Sequence, residues 1–411
     1  MPLRILHALY TPDPRAGGLM ENVRLLSAAG RYLSHPVEML VLASGDAPWR
    51  REFCGVVHEV GAGCAKGAAA REFMGWLREH AGGYDCVLIS GVSGCEAYGV
   101  WKALRDAGVP YFVFTPRYLG FLTGVSRQVE KAGQRFCWPW AGYPLLRDAH
   151  AAFFAGEEAR REARGCFWPY DCHEFVLFCG VPDGRAGRGA APGAGFLDAH
   201  PELAGKRVFS VLAPGPGPAP EALLRAVRNL VGTGRWDCDS MRLLLAGFDG
   251  EKSAEALRRS LARHGLEGVV QGIGTLTAPE RWSVLQASEA LVQPARAEHS
   301  GQAVAEALSA GKPVLIAKGL NLWREVVSHS AGLAEDDTTA GYTALFNDWL
   351  RESPEDRAAY GANARSYFEE HHTEQAGANM LMAVIYLLLG ARQSGNGPVD
   401  PEIFRQEADF L

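Results

Sequence analysis

The chain has 411 residues, 47% hydrophobic and 21% charged, which predicts two domains with a full core each and excludes a disordered chain, whose apolar area is too small to offset ordering entropy. Lys plus Arg number 41 and Asp plus Glu 47, a net charge of −6, so the net basic surface of a general nucleic-acid binder is missing. The longest apolar run, residues 380–389, falls short of the roughly 18 residues that suggest a membrane span.

The start, MPLRILHALY, lacks the long apolar region and small-residue cleavage site of a signal peptide, and residues 4–10 are expected to be a buried first strand. A Pro- and Gly-rich loop ends at Gly18, and Leu19, Val23, Leu26 and Leu33 then recur near helical spacing. Strands are predicted at 37–43, 85–90, 109–115, 149–155 and 175–179, and helices around 71–80, 97–107 and 157–164. Strands separated by helices imply crossover connections and a parallel sheet. Residues 183–195 are dominated by Gly, Pro and Ala, which predicts a linker.

The second half repeats the alternation. Strands are predicted at 207–212, 241–246, 269–271, 290–293 and 314–317, and helices at 221–230, 251–264, 279–287 and 301–309. Gly311 and Pro313 supply the stop chemistry of the last of these. Helices fill much of the tail to residue 389. The nine cysteines include no C-x-x-C pair. Cys166, Cys172, His173 and Cys179 do not match zinc spacings, and all nine are expected to be reduced thiols in a cytoplasmic protein.

The segment PARAEHSGQAVAEALSAG at 294–311 carries the most chemistry. Glu298 and Glu306 stand eight apart, with His299, Ser300, Gly301 and Gln302 between them at a helix start. Such a terminus, with its outward N–H groups and positive dipole end, suits a diphosphate. Gly301 permits close approach to the backbone, and a carboxylate on each side of the turn can accept from sugar or ribose hydroxyls. From spacing alone the two glutamates read first as solvated charges around a helix cap; their place after a strand in the second α/β half favours the ligand reading.

This segment, with Gly-Lys-Pro-Val after it, resembles the E-x7-E segment of family 4 retaining glycosyltransferases, which have the GT-B fold. The likeness extends along almost the whole chain. Arg4-Ile-Leu-His with Asp13-Pro-Arg-Ala-Gly-Gly resembles that family's first strand and glycine loop. Thr115-Pro-Arg117, Asp148-Ala-His150 and Val181-Pro-Asp-Gly184 resemble later landmarks in order. The resemblance implies two Rossmann-like α/β domains with parallel sheets facing a cleft: an acceptor-side domain at 1–182, the linker at 183–195, and a donor-nucleotide domain at 196–375. The helix and tail at 376–411 are expected to cross back to the first domain.

The resemblance also implies the roles. Glu298 contacts the donor sugar and Glu306 the ribose. Ser300, Gly301 and Gln302 present amides to sugar and diphosphate, with His299 beside them. Gly17 and Gly18 lie near the donor phosphates or the acceptor. Arg117 and His150 are candidate catalytic residues; a structural loop arginine is an equally open reading of the first, and a hydrogen-bonded structural histidine is the leading reading of the second. The implied reaction is retaining sugar transfer from a nucleoside diphosphate sugar to a glycan or glycolipid acceptor, in surface polysaccharide or glycoconjugate synthesis. It needs no protein nucleophile, no metal and no cofactor beyond the donor itself.

One departure stands out. The family carries Arg and Lys five apart after the first strand of its second domain, to neutralise the diphosphate. Residues 212–220 here read LAPGPGPAP. Losing both charges removes several kcal/mol of leaving-group stabilisation, since one donor alone is worth roughly 2.7–4 kcal/mol. Three explanations remain open: Arg296 or Lys318 substitutes, the donor is unusual, or the chain is a catalytically degraded relative that binds a nucleotide or glycan or supports a partner. Residues 124–147 mix Arg127, Lys131, Arg135 and Arg147 with Phe136, Trp138, Trp140 and Tyr143. They read as a peripheral contact at the inner membrane face or as core and cleft lining. Residues 1–182 carry 19 Lys/Arg and 18 Asp/Glu, and residues 183–411 carry 22 and 29. The acidity therefore lies in the half expected to bind an anionic donor, where long-range attraction does not help.

Overall fold

Five consecutive buried residues, Ile5–Leu9, form β1, and their burial on both faces is what a central parallel strand requires. The computed structural model describes residues 2–11, 19–42, 50, 53–61, 66–92, 94–115, 137–166, 168–178, 180–185, 194–212, 220–247, 250–295 and 301–393. The chain divides into two compact units, Met1–Gly180 with Glu374–Leu411, and Val181–Thr373.

The first unit holds a seven-stranded sheet. Besides β1 it contains β2 (Val37–Leu42), β3 (Val56–Val60), β4 (Cys86–Ser90), β5 (Tyr111–Phe114), β6 (Ala151–Phe154) and β7 (Glu174–Val176), in the order β3-β2-β1-β4-β5-β6-β7. All pairings are parallel; Ile5 stands opposite both Val37 and Cys86. Alternate residues feed two cores. Ile5 and Leu9 pack with Val23 and Leu26 of the helix Met20–Leu33 and with Leu381 and Ile385 of the helix Glu374–Gln393. Leu6 and Ala8 face Phe73, Leu77, Val100 and Leu104. The strand β3 is absent from the sequence prediction because its VVHEV is a half-exposed edge with no buried run to mark it.

The second unit holds β8 (Arg207–Leu212), β9 (Met241–Ala246), β10 (Val270–Ile273), β11 (Ala290–Gln293), β12 (Val314–Ala317) and β13 (Gly332–Glu335), in the order β10-β9-β8-β11-β12-β13. These pairings are also all parallel. One face packs Phe209, Leu243 and Val292 against Val227, Trp236, Phe346 and Trp349. Glu289 at the foot of β11 accepts from Arg207 at 2.6 Å through two nitrogens and from Trp349 Nε1 at 2.8 Å. The helices Ala278–Ala287 and Gln302–Ser309 contact β8 and β11 respectively. The first is opened by a Thr277–Glu280 capping box, which satisfies first-turn donors.

One expectation needs correction. Cys95 and Cys137 are joined by a disulfide, against the reading of nine reduced thiols; a separation of 42 residues hides their 5.3 Å Cα–Cα approach from the sequence. Of the two readings of residues 124–147, Trp138 takes the core one: it is buried and its Nε1 donates to the Pro169 carbonyl at 2.7 Å. Among the described residues, Trp140 and Trp168 are the exposed tryptophans. Arg127, Lys131, Arg135 and Phe136 lie outside the described residues. No helix among the described residues is long and apolar enough to cross a membrane.

Candidate functional site

In an open parallel sheet, ligands bind beyond the carboxyl ends of the strands, where the strand order reverses. In the second unit that point lies between β8 and β11. Gln293, the last residue of β11, is fully buried there, and its Nε2 donates 3.2 Å to the carbonyl of Leu212, the last residue of β8. The amide thus ties the two strand ends together. Its Oε1 has no partner among the described residues.

Beyond Gln293 the chain turns at Gly301 into the helix Gln302–Ser309. Gly301 has φ +76°, and an added Cβ would meet Leu322 Cδ1 at 2.8 Å. Glycine is therefore required on both conformational and steric grounds. The helix starts one residue later than the sequence prediction, within ordinary boundary scatter. Its positive dipole end faces the loop that follows β11.

Glu306 sits on the second turn of this helix with its side chain 18% exposed. It forms an ion pair with Arg281 from the helix Ala278–Ala287. Gln302 Nε2 also donates to Oε1 of the same carboxylate, at 2.9 Å. Arg365 closes the other end of the helix. It donates to the Ser309 carbonyl at 2.7 Å and to both oxygens of Asp183 at 2.8 and 2.7 Å. The Arg365 guanidinium holds the Asp183 carboxyl below the usual carboxylate range.

The structure brings Gly301, Gln302 and Glu306 into one turn-and-helix unit. Lys318 follows β12, one strand further out, and its Nζ lies 3.3 Å from Glu335 Oε2 of β13. Its charge is thus already matched by a carboxylate. His150 directly precedes β6, so it lies at the amino edge of the first sheet, opposite the edge where such sheets bind ligands. It is buried against Phe112, with ring centroids 5.6 Å apart. Gly17, Gly18, Arg117, Arg296, Glu298, His299 and Ser300 lie outside the described residues.

Sequence reasoning missed Arg281 and Gln293. For Gln293 there was a signal: an amide as the last residue of a four-residue buried strand. For Arg281 there was only the capping box, which fixes the helix start but not the partner 25 residues away.

Residues 218–367 match the family model of glycosyl transferases group 1. The group 1 match includes Arg281, Gln293, Glu306 and Lys318 and lies wholly within the second unit. No curated protein matches the chain as a sequence. Among solved structures, a glycosyltransferase from Rickettsia africae superposes with a TM-score of 0.72 at 10% identity, covering 95% of this chain and 99% of that one. Sucrose-phosphate synthase from Thermosynechococcus elongatus gives 0.69 at 15% identity, covering 94% and 100%. HepE of Anabaena, solved with UDP and glucose, gives 0.68 at 15% identity, covering 93% and 99%. At these identities the likeness establishes the fold: two parallel-sheet α/β units of the GT-B class.

Proposed function

We propose that the chain is a retaining glycosyltransferase that moves a hexose-type sugar from a nucleoside diphosphate sugar to a glycan or glycolipid acceptor. The observation that carries this reading is the place of Glu306. It stands on the helix that follows β11 at the strand-order reversal, within the segment matched by the group 1 model. A carboxylate there accepts from both ribose hydroxyls, while the adjacent helix start receives the diphosphate. Glu298 takes the sugar hydroxyls and the first unit the acceptor. The departing nucleoside diphosphate is the charge to be stabilised, so fixed positive groups aimed at it are the main catalytic device. Front-face attack by the acceptor hydroxyl needs no protein nucleophile.

HepE was solved with UDP and glucose, which makes UDP-glucose the first donor to test. Titration with UDP-, GDP- and ADP-sugars is expected to give binding that both Glu298→Ala and Glu306→Ala weaken. No binding at millimolar concentration, with both variants silent, overturns the reading. A second reading, a degraded relative that binds donor without turnover, is favoured by one feature: residues 213–219 contain neither Arg nor Lys. Donor binding without release of nucleoside diphosphate in the presence of acceptor identifies it.

A further inference from the structure

Residues 213–219 contain neither Arg nor Lys, and the half of the chain that holds the proposed donor site is acidic. Residues 183–411 carry 22 Lys/Arg against 29 Asp/Glu. An anion held there must be matched by local positive groups, because the long-range field opposes it. Lys318 pairs with Glu335 of the outermost strand, β13. Arg281 is placed differently. Its guanidinium contacts the same Glu306 oxygen that receives the side chain of Gln302, the first residue of the helix. A guanidinium and the positive end of a helix dipole therefore share one corner of the second unit. The Nε–H of Arg281 is buried and has no acceptor among the described residues, although a buried donor of this kind ordinarily finds one.

We infer that Arg281 is the cation for the donor diphosphate. The inference rests on the nucleotide-sugar reading of the site. Before the donor binds, Arg281 neutralises Glu306. When it binds, the ribose hydroxyls take the place of the guanidinium on the carboxylate. Arg281 then turns toward the start of the helix Gln302–Ser309 and donates its fork of N–H groups to the diphosphate oxygens. Planar, bidentate donation to phosphate is what distinguishes arginine from lysine. The exchange gives the guanidinium an anionic partner in both states and leaves the Glu306 carboxylate hydrogen-bonded to the ribose. It also fits the neutral, Pro-rich segment that follows β8: the charge enters from a neighbouring helix instead.

The test is calorimetric titration of the full chain with UDP, GDP and ADP, taking forward the tightest binder. Arg281→Leu is expected to weaken that diphosphate by about 10- to 100-fold, the worth of one to two charge-assisted hydrogen bonds. Arg281→Lys, which keeps the charge, is expected to lose less than Arg281→Leu. The same Arg281→Leu change made on Glu306→Gln separates direct from indirect action. A direct contact with the diphosphate keeps a loss of at least about tenfold in that background. A residue that merely orients Glu306 shows none. Unfolding midpoints of all variants identify any that fail to fold, and Arg281→Lys supplies the comparison if Arg281→Leu is one of them. Wild-type binding with no loss in Arg281→Leu overturns the inference alone, as does an equal loss in Arg281→Lys or a loss that vanishes on Glu306→Gln. Absence of binding by the wild-type chain removes the nucleotide-sugar reading, and this inference with it.

Discussion

Arg365 grips Asp183 with both terminal nitrogens, at 2.8 and 2.7 Å, and with one of them also holds the carbonyl of Ser309 at 2.7 Å. One guanidinium thereby joins the turn that enters the second unit to the end of the helix carrying Glu306. Removing it leaves the Ser309 carbonyl without this donor and the Asp183 carboxylate with the Arg185 N–H at 3.0 Å in place of a guanidinium. The pair is only partly exposed, at 15% and 30%, so solvent compensates incompletely. Arg365→Leu is expected to destabilise the chain by about 2–3 kcal/mol, and Asp183→Asn by about 1 kcal/mol. Denaturant unfolding reads both, and equal midpoints for wild type and Arg365→Leu would contradict the assignment.

Stability should fall on acidification in two stages. Burial holds His7 and His372 down to about 3, so both remain neutral in the folded chain while the unfolded chain protonates near 6.5. Below that value the unfolded state binds more protons, and stability falls as pH falls, by up to about 1.4 kcal/mol per unit for each histidine. The second stage comes from Asp183, whose folded value lies below its unfolded one. Its contribution is complete above the unfolded carboxylate range and is lost as pH drops through the folded value. His7→Gln keeps a group able to bond Ser90 Oγ, 2.9 Å from His7 Nε2, but does not titrate. Urea midpoints at about pH 7, 6 and 5 should therefore fall less steeply for the variant; parallel slopes would show that His7 is not a source of the acid sensitivity.

The sheets were legible in the sequence where burial is two-sided. The predicted bounds of the strands at 207–212, 241–246, 290–293 and 314–317 coincide with β8, β9, β11 and β12, because a central parallel strand is a short apolar run closed by turn residues. Two of the four edge strands were not legible: β3 reads VVHEV and β13 reads GLAE, neither with a pattern to separate it from a loop, while β7 and β10 overlap the strands predicted at 175–179 and 269–271. Of the candidate site, the turn at Gly301 and the carboxylate of Glu306 were legible because they lie within one continuous segment. The partners of Glu306 and Asp183 were not, since Arg281 and Arg365 come from other helices, 25 and 182 residues away. Side-chain pairing across such separations is set by tertiary packing.

Gln293 offers a sharper test of the strand-end tie. Its Nε2 donates to the Leu212 carbonyl across the point where the sheet order reverses. Gln293→Glu sets a buried carboxylate oxygen against that carbonyl, and the cost is expected to be about 3 kcal/mol or more at neutral pH, easing as pH falls and the carboxyl takes a proton. Gln293→Met keeps the volume and loses only the hydrogen bond, at about 1–2 kcal/mol. Denaturant unfolding of the two variants across pH distinguishes these costs. A loss that is equal in both and independent of pH would show that the amide fills space without bonding Leu212.

Gly301 combines two constraints that a control separates. Its φ of +76° costs an L-residue about 1–2 kcal/mol, and its added Cβ would meet Leu322 Cδ1 at 2.8 Å and Cγ at 3.2 Å. Leu322 gives little room, because it is itself buried. Gly205 shares the conformation, at φ +74°, with nothing within 4 Å of an added Cβ, and it lies before β8, away from the strand-order reversal. Gly205→Ala is therefore expected to lose about 1 kcal/mol of stability and to leave nucleotide affinity unchanged. Gly301→Ala should lose more stability, since the clash adds to the strain, and should weaken nucleoside diphosphate binding, since the turn that aims the helix start at the ligand must shift. Paired unfolding and titration experiments on the two variants measure both effects. Equal behaviour of the two would mean that Gly301 serves the backbone turn alone and takes no part in presenting the helix to a ligand.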